Sequence, residues 1–340
     1  MSLRTEMTSI SRTSGRSMSS MPLSPANSRC RPPENSHQPK ETGMAALMTS
    51  TTDPLRVAIV GTGNIGTDLL LKVIDSPALR CEMFTGRRAG SPGIALADSH
   101  GVPTSVEGID AIVDIADRID IVFDATSARD AARHWSIIEP LGPSFIDLTP
   151  ANLGKFCVPA LNLDECLNER YLGMVTCGGQ AAVPMAVCVA EATDGLGYVE
   201  IVSASSSASV GPASRANLDE YVVTTQKATH QFCDVDRTKT VLIINPAEPG
   251  IVMRNSITAL ASERVDMDAL RAAVELMEKQ IQTYVPGYRV VVPPVRDSNR
   301  IMITVEVEGR GDWLPRAAGN LDIITCAAVA AAEARSGRSV

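Results

Sequence analysis

Four histidines in 340 residues, eight cysteines without one C-x-x-C pair, and no long run of Lys or Arg leave several function classes without their chemistry. A structural zinc site needs Cys or His clustered at ligand spacing, whereas these cysteines stand singly at 30, 81, 157, 166, 177, 188, 233 and 326, so no metal is expected. A formal net charge of -8 argues against a surface built to neutralise phosphates, which excludes nucleic acid as a partner. No apolar run reaches the roughly 18 residues that cross a bilayer, and no charged segment followed by an apolar stretch and a cleavage site opens the chain. These absences point to a cytoplasmic protein with free thiols, away from membranes, acting on small molecules.

What is present is a chain that is 44% hydrophobic and long enough for two domains. Residues 1–53 are rich in Ser, Arg, Pro and Met and cannot bury enough apolar surface to offset the entropy of ordering. A disordered extension is expected there, with Met48 an alternative start just before the first strand. The Arg/Ser-rich opening also reads as an organellar transit peptide.

From Arg56 onward, short apolar strands alternate with helical stretches, the pattern of a doubly wound parallel α/β sheet. Strands are expected at Arg56–Val60, Arg80–Thr85, Asp120–Ala125, Ser144–Leu148 and Tyr171–Thr176, with a helix at Asp68–Ile74. Residues 54–178 are thus assigned to a dinucleotide-binding domain. A second α+β domain, 179–318, follows. Its expected helices are Ala181–Ala192, Leu218–Thr229 and Asp266–Tyr284, and its strands Tyr198–Ser205, Thr240–Asn245, Tyr288–Val292 and Arg300–Val307. In the third helix Met267, Leu270, Ala273, Val274, Met277 and Ile281 recur at helical spacing, so that helix should lie on a sheet. The Ala-rich segment 319–335 is expected to form a last helix that packs back on the first domain.

Gly61-Thr62-Gly63-Asn64-Ile65-Gly66 follows a strand and opens a helix, the context in which G-x-G-x-x-G binds a dinucleotide. Gly61 permits the tight turn, Gly63 the approach of pyrophosphate, and Gly66 close packing, while free N–H groups face the anion. An NAD site usually ends its second strand in an acid that holds the ribose hydroxyls. Here the strand ends in Gly86-Arg87-Arg88, which suits a 2′-phosphate, so NADP stands beside NAD; a merely solvated loop is the third reading.

Cys177 ends a predicted strand and is followed by two glycines and an apolar helix. The positive end of that helix should lower the thiol pKa, and the glycines leave backbone N–H donors open to an aldehyde carbonyl. Cys157 is the rival thiol but lacks the glycines. Cys81, Cys166, Cys188, Cys233 and Cys326 read as small core residues. His230 reads as a satisfied histidine rather than a base. The small-residue stretch around Ser209 to Asn217 is either a cofactor-facing loop or a plain connection, and Asn320 either caps the last helix or bonds a nicotinamide amide.

Together these residues resemble the acylating acetaldehyde dehydrogenases of bacterial meta-cleavage pathways for aromatic compounds. The resemblance runs from Val57 to Ala334 through VAIVGTGNIGTD (57–68), DIVFDATS (120–127), IDLTP (146–150), MVTCGGQA (174–181), RAN (215–217), NPAEP (245–249), VPGY (285–288) and GNLDI (319–323). It implies a semialdehyde-dehydrogenase-like two-domain fold and a reaction in which Cys177 carries an acyl thioester between aldehyde and coenzyme A, with NAD as oxidant and acetaldehyde or propanal as substrate. It places nucleotide contacts on Thr62, Gly63, Asn64, Ile65, Gly66, on Ser209, Val210, Gly211, Pro212, Ala213, Ser214, Arg215, Ala216, Asn217, and on Asn320. It further implies a homodimer within a heterotetramer with 4-hydroxy-2-oxovalerate aldolase, which hands over the aldehyde through a channel. Three departures stand out: Asn255 where the family has an aspartate that assists acyl transfer, Arg316-Ala317 in place of a small residue and a tyrosine, and Arg87-Arg88 in place of the ribose-binding acid. The alternatives are an acyl-phosphate-linked semialdehyde dehydrogenase, which would need a histidine and phosphate-binding cations near Cys177, and an impaired nucleotide-binding partner of an aldolase.

Overall fold

The computed structural model describes residues 53–337, except 152, 262 and 263 and the side chain of Ala213. The expectations for the N-terminal extension, Met48 included, lie outside the described residues.

Seven parallel strands form the first sheet: β1 (Leu55–Val60), β2 (Leu79–Thr85), β3 (Thr104–Ser105), β4 (Ile121–Asp124), β5 (Ser144–Asp147), β6 (Lys155–Phe156) and β7 (Tyr171–Gly173). Their order is β3-β2-β1-β4-β5-β7-β6. The strand order reverses beside β1, so the turn leaving β1 lies at the switch point where open α/β sheets bind ligands. The connecting helices are α1 (Asn64–Asp75), α2 (Pro92–Ser99), α3 (Asp110–Val113), α4 (Ala128–Ile138) and α5 (Pro159–Cys166). Of these only α1 was legible: α2, α3 and α5 are short, and α4, nearly as long as α1 and amphipathic, was missed.

The next helix, α6 (Cys177–Glu191), begins four residues earlier than expected. Thr176 caps it, its hydroxyl accepting from the Gly179 N–H at 2.9 Å, so the two glycines that read as a loop form the first helical turn. Nearly the whole helix from Gly178 to Val189 is buried, as an all-apolar helix must be.

The second sheet holds β8 (Leu196–Ser206), β9 (Thr238–Asn245), β10 (Met253–Ala261), β11 (Tyr288–Asp297) and β12 (Arg300–Val307), in the order β11-β12-β10-β8-β9. Its remaining helices are α7 (Pro212–Ala216), α8 (Leu218–Cys233) and α9 (Met267–Gln282), and the last helix is α10 (Gly319–Glu333). The sequence reading missed β10, the central strand. Its inward set is Met253, Asn255, Ile257, Ala259 and Ala261, and an Asn and two alanines among five positions blur the apolar alternation. β11 runs five residues past its expected end through Pro293 and Pro294; it is an edge strand, and its pairing shifts register between Val292 and Val295. α9 buries Leu270, Val274 and Ile281.

α10 buries almost its entire length and packs against α1. The contact holds a charge cluster. Lys72 Nζ lies 2.7 Å from Asp68, 3.0 Å from Asp322 and 3.4 Å from Asp312, and the Asp68 carboxylate also accepts from Thr325 Oγ1 at 2.6 Å. Those carboxylates raise the Lys72 ammonium above its ordinary pKa despite burial. The cluster therefore ties α1, α10 and the loop that carries Trp313 into one unit.

Candidate active site

The β1–α1 turn shows why its glycines are needed. Gly61 has φ +117°, and a Cβ there would meet the Ala125 carbonyl oxygen at 2.5 Å. At Gly66 a Cβ would fall 1.7 Å from the Gly61 oxygen, whereas at Gly63 it would meet nothing within 4 Å. Two glycines therefore serve packing and the third keeps the backbone open to a ligand, which is the division of roles a pyrophosphate site requires.

A cleft of about 490 Å³ opens over this turn. It is lined by Thr62, Gly63, Asn64 and Ile65 on one side and by Ser209, Gly211, Pro212, Ser214 and Asn217 on the other. Trp313 also lines it, its indole N–H donating to Asn64 Oδ1 at 3.1 Å. Pro212 and Thr62 continue into a neighbouring cavity of about 430 Å³ with Arg87, Arg88, Glu107 and Asp130. Two carboxylates from other elements, Glu107 and Asp130, line that cavity. Arg87 pairs with Asp130 at 3.2 Å, which offsets the charge that would draw a 2′-phosphate.

Cys177 lies in a third cavity, of about 80 Å³. Ile65, Leu148, Pro150, Ser214 and Asn217 line both this cavity and the large cleft, so the thiol pocket adjoins the dinucleotide site. Val210 and Asn320 belong to the smaller cavity. Asn320 does not cap α10: its Nδ2 donates to the Ser209 carbonyl at 3.4 Å, and its buried Oδ1 has no partner. An orphaned acceptor beside the Cys177 pocket suits an amide donor such as a carboxamide. Arg215 and Ala216 of the expected loop lie apart from these walls. Arg215 turns back on its own segment, donating to the Val210 carbonyl and to Ser207, Ala216 is exposed, and Ala213 is known only as backbone of α7.

The cysteine is presented by a strained backbone. Val175 has φ +58°, a conformation that costs a β-branched residue on the order of 1–3 kcal/mol and throws Thr176 and Cys177 out of the sheet edge into the helix start. Cys177 is part-buried, whereas the rival Cys157 is fully buried and lines none of these cavities. Burial pushes the Cys177 thiol up to about 11, against the Gly178 backbone and the Tyr221 hydroxyl, whose dipoles favour the thiolate. The lowered pKa expected from the helix start is therefore not what the free chain has. Desolvation of the small pocket outweighs the donors.

Tyr221 carries no sequence signal, whereas Asn255 stands out only as a departure from the family pattern and Ser203 and Ser205 only as part of a small-residue stretch. Tyr221 reaches the Cys177 cavity from α8, one turn after Asn217. Ser203, Ser205 and Asn255, inward-facing on β8 and β10, bring buried polar atoms without partners to the sheet behind it. His134 is buried and bonds Asp124 at 2.7 Å, away from the thiol pocket, and His230 bonds the Val235 carbonyl at 2.9 Å. The sequence-based view of His230 as a satisfied residue holds.

Comparison with known proteins decides the family. A relative named acetaldehyde dehydrogenase 2, from Salinispora arenicola, is 72% identical over 284 residues, covering 84% of this chain and 96% of the relative. The chain belongs to the acetaldehyde dehydrogenase family. An acetaldehyde dehydrogenase of Pectobacterium atrosepticum is 48% identical over 288 residues, covering 84% of this chain and 97% of its own. Residues 177–315 match a family model described as prokaryotic acetaldehyde dehydrogenase, dimerisation. Among solved structures, an aspartate semialdehyde dehydrogenase II from Vibrio cholerae, complexed with ASA, aligns with a TM-score of 0.56 over 83% of this chain and 98% of its own, at 14% identity. That likeness bears on the fold, and it agrees with the semialdehyde-dehydrogenase-like architecture. As an acetaldehyde dehydrogenase family member the chain is an oxidoreductase that uses a nicotinamide cofactor. No helix among its described residues is long and apolar enough to cross a membrane.

Proposed function

We propose that this chain oxidises acetaldehyde to acetyl-CoA, with Cys177 as nucleophile, NAD as oxidant and coenzyme A as acyl acceptor. The observation that carries the reading is the part-buried thiol at a capped helix start, in a small pocket whose walls are shared with the dinucleotide cleft. A cavity of about 80 Å³ favours a two- or three-carbon aldehyde, so propanal is the natural second substrate.

The chemistry follows from what surrounds the sulfur. The Cys177 thiolate adds to the carbonyl carbon, forming a C–S bond and moving the π pair onto oxygen. When bound, the dinucleotide supplies the hydride acceptor. Loss of hydride from the thiohemiacetal leaves an acyl thioester on Cys177, and the exposed open face at Gly63 and the orphaned Asn320 Oδ1 are the groups that would hold and orient the acceptor. The coenzyme A thiolate then attacks the thioester carbon, and Cys177 departs as thiolate. Asn255 is fully buried with neither amide atom hydrogen-bonded, and a neutral amide takes no proton. Acyl transfer in this chain therefore depends on thiolate formed elsewhere and is slower than with an aspartate at position 255.

The exposed residues of the second sheet, with Val291, Val292, Val295 and Met302 among them, support a homodimer through that sheet. A 4-hydroxy-2-oxovalerate aldolase that delivers the aldehyde, in aromatic catabolism, completes the reading on family resemblance.

The test is reduction of NAD or NADP by acetaldehyde, with and without coenzyme A, for the native chain and Cys177→Ser. Turnover that requires coenzyme A and disappears in the variant supports the acylating reaction. Turnover without coenzyme A, or undiminished in the variant, overturns it.

A further inference from the structure

We propose that Tyr221 is a further catalytic residue of this site, its hydroxyl donating a hydrogen bond to the Cys177 sulfur whenever that sulfur carries negative charge. The inference rests on Cys177 being the nucleophile. Tyr221 and Cys177 line the same small cavity, and the phenol oxygen is buried without a well-formed hydrogen bond to any described group, although Cys177, Ser203 and Thr176 surround it. A buried hydroxyl left unpaired is unfavourable, and one facing a reactive thiol finds its partner in charge that develops during the reaction.

Gly178 gives the second observation. A Cβ at that position would lie 2.0 Å from Tyr221 Oη and 2.4 Å from Ser203 Oγ. The residue after the cysteine lacks a side chain because the phenol occupies the space, directly against the first turn of α6. The Gly178 backbone and the phenol both act to lower the Cys177 thiol against its burial, so a backbone dipole and a phenol dipole favour charge on one atom.

The third is how firmly Tyr221 is held. Its N–H donates to the Asn217 carbonyl at 2.9 Å, and its own carbonyl accepts from Thr225 Oγ1 at 2.8 Å. Thr225 Oγ1 in turn meets Thr176 Oγ1, the cap of α6, at 2.7 Å. One hydroxyl chain thus fixes α8 to the residue before the nucleophile. Burial holds the phenol well above its ordinary pKa, so it remains a neutral donor.

The bond matters twice, when the thiolate attacks the aldehyde and when the sulfur leaves the acyl group. Tyr221 gives up no proton in either step. It stabilises the charged sulfur that the small pocket otherwise disfavours.

The test uses the full chain without substrates. Iodoacetamide alkylation of Cys177, located by mass spectrometry, is followed against pH for the native protein and for Tyr221→Phe, beside unfolding in urea. Loss of one hydrogen bond to a charged group should slow alkylation about tenfold below the midpoint and move the midpoint up by about one pH unit. Stability should be unchanged or higher, because the hydroxyl removed has no partner in the folded state. An unchanged alkylation curve in folded Tyr221→Phe, or an effect on unfolding alone, overturns the proposal. Should that variant fail to fold, incorporation of fluorotyrosine gives the same readout. Its more acidic phenol is a better donor and should lower the midpoint, and no movement refutes the role. Neither aldehyde nor coenzyme A enters this assay, so the Tyr221 role and the acylating reaction can fail separately.

Discussion

Replacing Lys72 with methionine tests whether the buried charge cluster holds the dinucleotide side of the molecule together. The Lys72 and Asp68 side chains are each 2% exposed and that of Asp322 is 6% exposed, so solvent screens this cluster little. Methionine nearly preserves the volume but removes the ammonium from Asp68 and Asp322, while Asp312 keeps Arg310 at 3.2 Å. Breaking a buried pair from one side costs roughly 3–5 kcal/mol because the remaining charge is uncompensated. Against a typical total of about 5–15 kcal/mol this is a large loss. The Asp68 carboxylate, which burial already holds above its ordinary range against the lowering effect of Lys72, rises further when the ammonium is removed. The deficit is fully present above that folded value and is relieved as pH falls toward the unfolded value of about 3.9. Urea unfolding of Lys72→Met should therefore show a deficit of roughly 3–5 kcal/mol at pH 7 that shrinks steadily toward pH 5. Adding Asp68→Asn and Asp322→Asn should recover most of it. A deficit below about 1 kcal/mol, or one that does not change with pH, would refute the reasoning.

The remaining predictions concern the dinucleotide site. Gly66→Ala drives a Cβ into the Gly61 carbonyl and should lower the unfolding midpoint, whereas Gly63→Ala should fold normally and still weaken NADH binding, read by fluorescence titration, at least tenfold. Equal effects on folding for the two would contradict the assigned roles. Asp130→Asn frees Arg87 and should raise NADPH affinity relative to NADH by about two- to fivefold, within the modest worth of an exposed pair. An unchanged ratio would show that Arg87 does not reach the ribose.

Much of this was legible in local sequence. The β1–α1 turn is a short contiguous motif whose function depends on φ angles and the lack of Cβ atoms, so Gly61, Gly63 and Gly66 announced themselves. Cys177 was marked by the glycines after it. β10 and the short helices α2, α3 and α5 were not legible, since their apolar patterns are weak and their state is set by the sheets they pack on. The thiol misled in one respect. A helix start predicts a lowered pKa, but burial is a property of everything that closes over the sulfur, and only the folded chain supplies it.

The sequence by itself determined the doubly wound class, the dinucleotide turn, the candidate nucleophile and the resemblance to a family, because each rests on residues adjacent along the chain or on the joint order of such runs. Tertiary structure alone decided that Tyr221, 44 positions from Cys177, shares its small cavity, that Glu107 and Asp130 line the cavity beyond the end of β2, and that Lys72 sits among three carboxylates. Those pairings join residues from separate elements, and no local spacing encodes the approach of one packed surface to another.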